Sequence, residues 1–181
     1  MRVAVYGGSF NPPHVGHAMV AAWVRWTERA DAVWLLPAFQ HAFDKVLAPW
    51  DARLDMTDAL ARTLGPWARV EPIEASLPVP SYTVRTLDAL AGRHPEHTFH
   101  LVIGADVVTQ LPLWKESARL QACYPLIVVG RQGYAEVEGA PSFPDVSSTD
   151  VRQRLALGEP VDGLVPAAVR RVVDARGLYR T

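Results

Sequence analysis

The chain has 181 residues, 49% hydrophobic and 20% charged, which suits one globular domain over residues 1–181 with a sizeable core. A net charge of −1 argues against a broad nucleic-acid-binding surface, so an anionic ligand must be held by local groups. The single cysteine, Cys123, excludes an internal disulfide and a cysteine-based zinc framework, and no apolar run approaches the ~18 residues needed to span a bilayer.

The N-terminus carries no signal-peptide pattern, so a cytoplasmic location is expected, with no membrane and no nucleic-acid polymer as partner. "RVAVY" is a short strand with a glycine turn behind it. "HVGHAMVAAWVRWTERA" changes to helical period, with Val15, Met19, Ala22, Val24 and Trp26 on its buried side. "AVWLLP" is a second apolar strand ended by proline. "DARLDMTDALARTLG" is a helix with an apolar stripe of Leu54, Met56, Leu60 and Leu64, stopped by Gly65. "ARVEPIE" reads as a short strand. "SYTVRTLDALAGR" is a helix capped by Ser81 or Thr83, with Val84, Leu87 and Leu90 inward. "TFHLVIG" and "YPLIVVG" are strands, and Cys123 beside the latter reads as an inert near-core residue. The stretch from Gly130 to Val146 reads as a surface loop. "SSTDVRQRLALG" and "VPAAVRRVVDARG" are C-terminal helices, each closed by glycine.

Apolar strands alternating with helices imply an α/β fold, a parallel sheet covered on both faces. Ligands of such a sheet bind at the carboxyl ends of its strands. That rule directs attention to "GGSFNPPHVGH", "FQHAFDK", "GADVV" and "GRQGY", which all follow strands. Gly7 and Gly8 let backbone approach a ligand closely. The next helix begins near His14, so its free amides and dipole favour phosphate, and His14 and His17 sit one turn apart at that tip. A second amide-rich helix start lies far away, where Ser147 and Asp150 form a capping box beside Ser148, Thr149 and the forked donor Arg152.

Gly8, Phe10, Pro12, His14, Gly16 and His17 match the G-x-F-x-P-x-H-x-G-H signature of the nucleotidyltransferase superfamily, and "SSTDVR" resembles its I-S-S-T-x-I-R motif. "PSYTVRTLDAL", "VIGADVVTQLPLWKE", "LIVVGRQGY" and "LVPAAVRRVVDARGLY" resemble bacterial nicotinate mononucleotide adenylyltransferases, so the likeness spans nearly the whole chain. The resemblance implies a doubly wound, Rossmann-like parallel sheet of the nucleotidyltransferase type with C-terminal helices. It implies adenylyl transfer from ATP to nicotinate mononucleotide, with Mg²⁺ carried on the ATP phosphates.

On that resemblance, His14, His17, Lys45 and Arg152 are the catalytic candidates. Gly7, Gly8, Ser9 and Phe10, then Gly104, Asp106 and Arg131, then Ser147, Ser148 and Thr149, join them around ATP. Asp106 would bond the ribose; Arg131 would hold phosphates or the adenine side. Ser9, Lys45, Tyr82, Thr83 and Trp114 would receive the mononucleotide. Trp114 is suited to stack on a pyridinium cation, and the helix start at Tyr82 and Thr83 to receive a carboxylate. The family's usual "PPHK" is replaced by "FQHAFDK", with Lys45 in place of the lysine and His41 or Asp44 nearby. Arg53 either supports the loop or touches phosphate.

Two histidine groups invite a zinc reading, His94/His97/His100 and His14/His17/His41. Pro95 breaks the first, the second sits in a phosphate-binding context, and no metal ligand is assigned from sequence. Nicotinamide mononucleotide, phosphopantetheine or a nucleotide-sensing role without turnover remain alternatives, and a homo-oligomer is left open.

Overall fold

In the computed structural model, residues 1–40, 47–134 and 136–180 are described. Lys45, His41 and Asp44 lie outside the described residues. The elements run β1 (Arg2–Gly8), α1 (Val15–Trp26), β2 (Ala32–Pro37), α2 (Trp50–Leu64), β3 (Ala68–Val70), α3 (Thr83–Arg93), β4 (Thr98–Gly104), α4 (Ala105–Val108), α5 (Ser117–Cys123), β5 (Leu126–Arg131), β6 (Ser142–Phe143), α6 (Ser148–Ala156) and α7 (Ala167–Ala175).

The described strands form a six-stranded sheet in the order β3-β2-β1-β4-β5-β6, and every pairing is parallel. The order reverses between β1 and β4, so a crevice opens at their carboxyl ends. Period-two alternation divides the core. Val3 and Val5 of β1, with Leu101 and Ile103 of β4, face a layer holding Leu87 and Leu90 of α3 and Leu120 of α5. Ala4 and Val102 face the other layer, built on Val24, Met56, Leu60, Val151 and Val169 of α1, α2, α6 and α7. Both faces of the sheet are covered, as the unbroken apolar runs require.

Four local expectations need correction. On α1 the buried residues are Gly16, Val20, Ala21, Ala22 and Val24, while Met19 is 40% and Trp26 73% exposed. The helix meets the sheet through its small residues, and its large ones are rotated outward. Cys123, at the end of α5, is exposed and not core. The N-cap of α3 is Tyr82, with no side-chain cap from Ser81 or Thr83. Within the stretch read as a loop, β6 pairs with β5 (Gly130↔Ser142, Arg131↔Phe143), and Phe143 is buried against Trp23. The short α4 and α5 lacked a periodic signal and were not anticipated. Among the described residues, no helix is long and apolar enough to cross a membrane.

Candidate active site

β1 delivers Gly7 and Gly8 to the crevice, and the chain then turns through Phe10 at φ +46°. Phe10, placed by the resemblance among the residues around ATP, has a wholly buried side chain, its ring 4.9 Å from that of His17 and 6.1 Å from that of Tyr6. It forms a wall behind the imidazole. His14 precedes the first turn of α1, and its ring centroid lies 3.9 Å from that of His17. Gly16 is required between them, because a Cβ there would lie 3.0 Å from His14 Nδ1.

The protonation of this pair follows from its contacts. His17 Nδ1 accepts the His14 backbone N–H at 3.1 Å. Nδ1 therefore carries no proton, and the neutral ring holds its hydrogen on Nε2, as a donor. Burial, the neighbouring His14 and Arg131 hold the His17 pKa well below the ordinary value. Burial first and then Arg131 lower His14 to about 4. With no ligand bound, both rings are neutral at pH 7 and present N–H dipoles rather than cations to the cleft. The tip of α1 is partly occupied, since Leu164 O accepts the Val15 N–H at 2.9 Å.

The second motif arrives at the same place. Ser147 caps α6 by accepting the Asp150 N–H, while the Asp150 carboxylate pairs with Arg154 instead of completing the box. Ser148 Oγ donates to Pro12 O at 2.9 Å, and Arg152 Nη1 donates to Asn11 O at 2.7 Å. Thus the loop carrying the histidines and the helix carrying Ser148, Thr149 and Arg152 are one surface. The available cations differ. Arg131 is neutralised by Asp106 (2.7 Å) and Asp145 (2.7 Å). Arg152 has no carboxylate within ion-pair distance among the described residues.

Of the braces behind this surface, sequence reasoning offered Arg53 with two readings and missed Glu74, Asn11 and Tyr179. Arg53 is 2% exposed and donates to Ser9 O (3.2 Å), Ala38 O (2.7 Å), Phe39 O (3.3 Å) and Ala48 O (3.1 Å). Its two open readings resolve to loop support. Glu74, also buried, accepts the Phe39 N–H at 3.0 Å and the Thr86 hydroxyl at 3.3 Å, and burial raises its pKa. The peptide at Phe39 is therefore gripped from one side by a guanidinium and from the other by a carboxyl group. Asn11 Oδ1 accepts both the Ala48 N–H (3.0 Å) and the Tyr179 hydroxyl (2.7 Å), which ties the C-terminal segment to the histidine loop. No local pattern marks Glu74, Asn11 or Tyr179, and which of its two roles Arg53 takes is recognisable only once the loops around it are placed.

The opposite wall is aromatic. Tyr82 and Trp114 are half-buried and pack on the same core layer. Tyr82 precedes α3, so the first amides of that helix open beside its ring. Asp106, in the first turn of α4, folds back over the end of β4. Gly104 makes this fit: a Cβ there would meet Asp106 Oδ1 at 2.2 Å.

The cleft so formed has a volume of about 1100 Å³, at the upper end of roughly 300–1,000 Å³ for small-molecule sites and suited to a dinucleotide-sized ligand. It brings together the glycine loop with Ser9, His14 and His17, the Gly104–Asp106 turn and Arg131, the α6 tip with Arg152, and Tyr82, Thr83 and Trp114. Of the sequence candidates with described positions, Phe10 and Arg53 stand outside its lining. Among the described residues, no trio of histidine or carboxylate side chains capable of holding a metal ion lies in the cleft.

Residues 5–154 match the family described as cytidylyltransferase-like. A probable nicotinate-nucleotide adenylyltransferase of Anaeromyxobacter sp. (strain K) is 49% identical over 99% of this chain and 97% of its own. One from Bacillus pumilus is 37% identical over 99% of each. The solved structure of Plasmodium falciparum nicotinic acid mononucleotide adenylyltransferase complexed with NaAD superposes with a TM-score of 0.82 at 18% identity, over 98% of this chain and 97% of that one. This last likeness speaks to the fold.

Proposed function

This chain belongs to the cytidylyltransferase-like family and, within it, to the nicotinate-nucleotide adenylyltransferases, and from that premise we propose how it joins ATP to nicotinate mononucleotide as a single catalytic domain. The 5′-phosphate oxygen of the mononucleotide attacks the α-phosphorus of ATP. A new P–O bond forms, the bond to the β-phosphate breaks, and nicotinate adenine dinucleotide and pyrophosphate leave. No described cleft residue is arranged as a covalent nucleophile activated by a base, so the protein's contribution is positioning and charge stabilisation.

The roles follow from geometry. His17 Nε2–H and His14 donate to the triphosphate, and Arg152, lacking a carboxylate partner among the described residues, supplies cationic charge as pyrophosphate departs. The amides at Gly8 and Ser9 and the hydroxyls of Ser147, Ser148 and Thr149 complete the phosphate cradle. Asp106 bonds the adenosine ribose, with Arg131 holding it in place. Trp114 stacks on the pyridinium ring, and the first amides of α3, at Tyr82 and Thr83, receive the carboxylate. Lys45 adds a second cation from the segment after β2. Mg²⁺ would come with the ATP phosphates and offset their charge, with few or no protein ligands.

The observation that carries this reading is the junction of two remote motifs, Arg152 to Asn11 O at 2.7 Å and Ser148 to Pro12 O at 2.9 Å, on one wall of a dinucleotide-sized cleft. Pyrophosphate release with ATP and, separately, nicotinate mononucleotide, nicotinamide mononucleotide and phosphopantetheine tests it. Fastest release with the nicotinate nucleotide is expected. Preference for another acceptor reassigns the substrate, and release with none of them ends the catalytic reading in favour of a nucleotide sensor.

A further inference from the structure

At the far end of the sheet, the turn His94–Pro95–Glu96–His97 links α3 to β4. We propose that this turn is a binding site for a divalent transition-metal ion, with His94 Nδ1, Glu96 Oε1 and His97 Nε2 as ligands. The site stands apart from the cleft: β4 carries the chain roughly 20 Å from the turn to Gly104 at ~3.3 Å per residue, so the inference does not depend on the catalytic reading.

The turn is pre-formed. The His97 N–H donates to His94 O at 3.0 Å, closing it. The two imidazoles are stacked with an 8° interplanar angle and centroids 5.7 Å apart. Both meet the buried indole of Trp34 edge-on, at 5.1 and 5.7 Å, which fixes their orientation. Glu96 Oε1 lies 3.7 Å from His94 Nδ1 and 3.3 Å from His97 Nε2. The three ligand atoms fall within 4.8 Å of one another.

These distances have a chemical meaning. Ligands about 2.0–2.1 Å from a tetrahedral zinc ion sit ~3.3–3.4 Å from each other. The Glu96–His97 separation already equals that edge, the 61%-exposed Glu96 side chain can rotate to shorten its edge to His94, and the two imidazole nitrogens, within 4.8 Å of each other, must draw together on binding. Glu96 pairs with both imidazoles when no ion is bound, so the three side chains are already gathered on one side of the turn. His100, which the sequence spacing offered as third ligand, lies on β4 in the sheet; Glu96 takes its place.

Two imidazoles and one carboxylate favour Zn²⁺, Co²⁺, Ni²⁺ or Cu²⁺ over Mg²⁺ or Ca²⁺, with water in the remaining position. One feature sets the affinity. An ion on Nε2 leaves the His97 ring proton on Nδ1, which is buried without a hydrogen-bond partner. A missing outer partner costs ~10–100-fold in affinity relative to a site that supplies one. The Met1 amino group donates to Glu96 O, and Met1 O accepts the Thr98 N–H. A bound ion would therefore fasten the starts of β1 and β4 and raise Tm.

The test uses tag-free, chelator-stripped full-length protein. Titration calorimetry with Zn²⁺, and visible absorption with Co²⁺, should give one ion per chain and a raised Tm, with no response to Ca²⁺. Glu96→Gln, at an exposed position, should keep the fold and pyrophosphate-release rate but weaken Zn²⁺ binding at least ~10-fold. His94→Ala should abolish it. Absence of binding at millimolar Zn²⁺, or equal affinity in wild type and both variants, overturns the assignment.

Discussion

At one end of the cleft, Ser9, Asn11, Pro12 and the 38–39 segment are each hydrogen-bonded to an element remote in sequence, through Arg53, Tyr179, Arg152, Ser148 or Glu74. At the other, Tyr82 and Trp114 are held by apolar contact with one core layer. The difference matches what each end must do. Stabilising charge that builds during phosphoryl transfer needs donors fixed before the reaction, because reorganising them then would add to the barrier. Binding a flat ring needs area and shape, which apolar packing against one layer supplies without directional donors. Disturbing the braced end should therefore change turnover, whereas disturbing the aromatic end should change substrate affinity.

Removing the central brace should have the largest effect. Arg53→Ala leaves part-buried carbonyls at Ser9, Ala38 and Ala48 without their donor and opens a cavity where the buried side chain stood, at a cost of about 3 kcal/mol in stability. Denaturant unfolding measures it, and an unchanged midpoint would mean that these loops hold themselves. Arg53→Lys keeps the charge but not the fork. It should remain folded with lowered kcat and a nearly unchanged KM for the mononucleotide.

Next is the donor itself. In His17→Asn the side-chain oxygen can still accept the His14 N–H, while the Nε2–H donor is lost. Its kcat should fall ~10²–10³-fold, the usual cost of one such donor, with the far-UV circular dichroism unchanged. Near-normal turnover would remove His17 from the mechanism.

The neutral imidazoles also make stability depend on pH in a definite direction. Burial, then Arg131, holds folded His14 at about 4, whereas the unfolded side chain titrates near ~6.5. Between those values the unfolded chain binds the extra proton. The contribution is therefore full above pH ~6.5 and is lost as pH falls toward 4, by up to about 3 kcal/mol. His17 acts in the same sense. Unfolding midpoints at pH 7.5, 6 and 5 should fall in wild type and fall less in His14→Asn; equal slopes would show that His14 does not remain neutral.

The same contrast explains how much was legible in the sequence. Strands β1 to β5, α1, α2, α3 and the late helices announced themselves through apolar period and stop residues, whereas the two-residue β6 did not. The phosphate cradle was legible because its residues are contiguous within two motifs. Arg53, Glu74, Asn11 and Tyr179 carry equal weight in the fold but meet only after the loops are placed, with Tyr179 and Asn11 lying 168 residues apart. Met19 and Trp26 misled because periodicity finds an apolar stripe without saying which stripe a sheet needs. Close approach selected Gly16 and the alanines instead. Cys123 misled because proximity to a buried strand was taken for burial itself.

The aromatic end should yield the smallest and most selective change. Trp114 packs on the core layer below it and lines the cleft with what remains exposed. Stacking of a cationic ring on indole contributes ~0.5–2 kcal/mol, so Trp114→Ala should raise the mononucleotide KM roughly 2- to 30-fold. ATP binding and kcat at saturation should stay within about twofold, since the braces at the opposite end are untouched. Trp114→Phe keeps a ring and should recover part of the affinity. Steady-state kinetics with each substrate varied in turn distinguishes the outcomes: an unchanged mononucleotide KM removes the stacking contact, and a fall in kcat matching that of His17→Asn would mean the two ends are mechanically one.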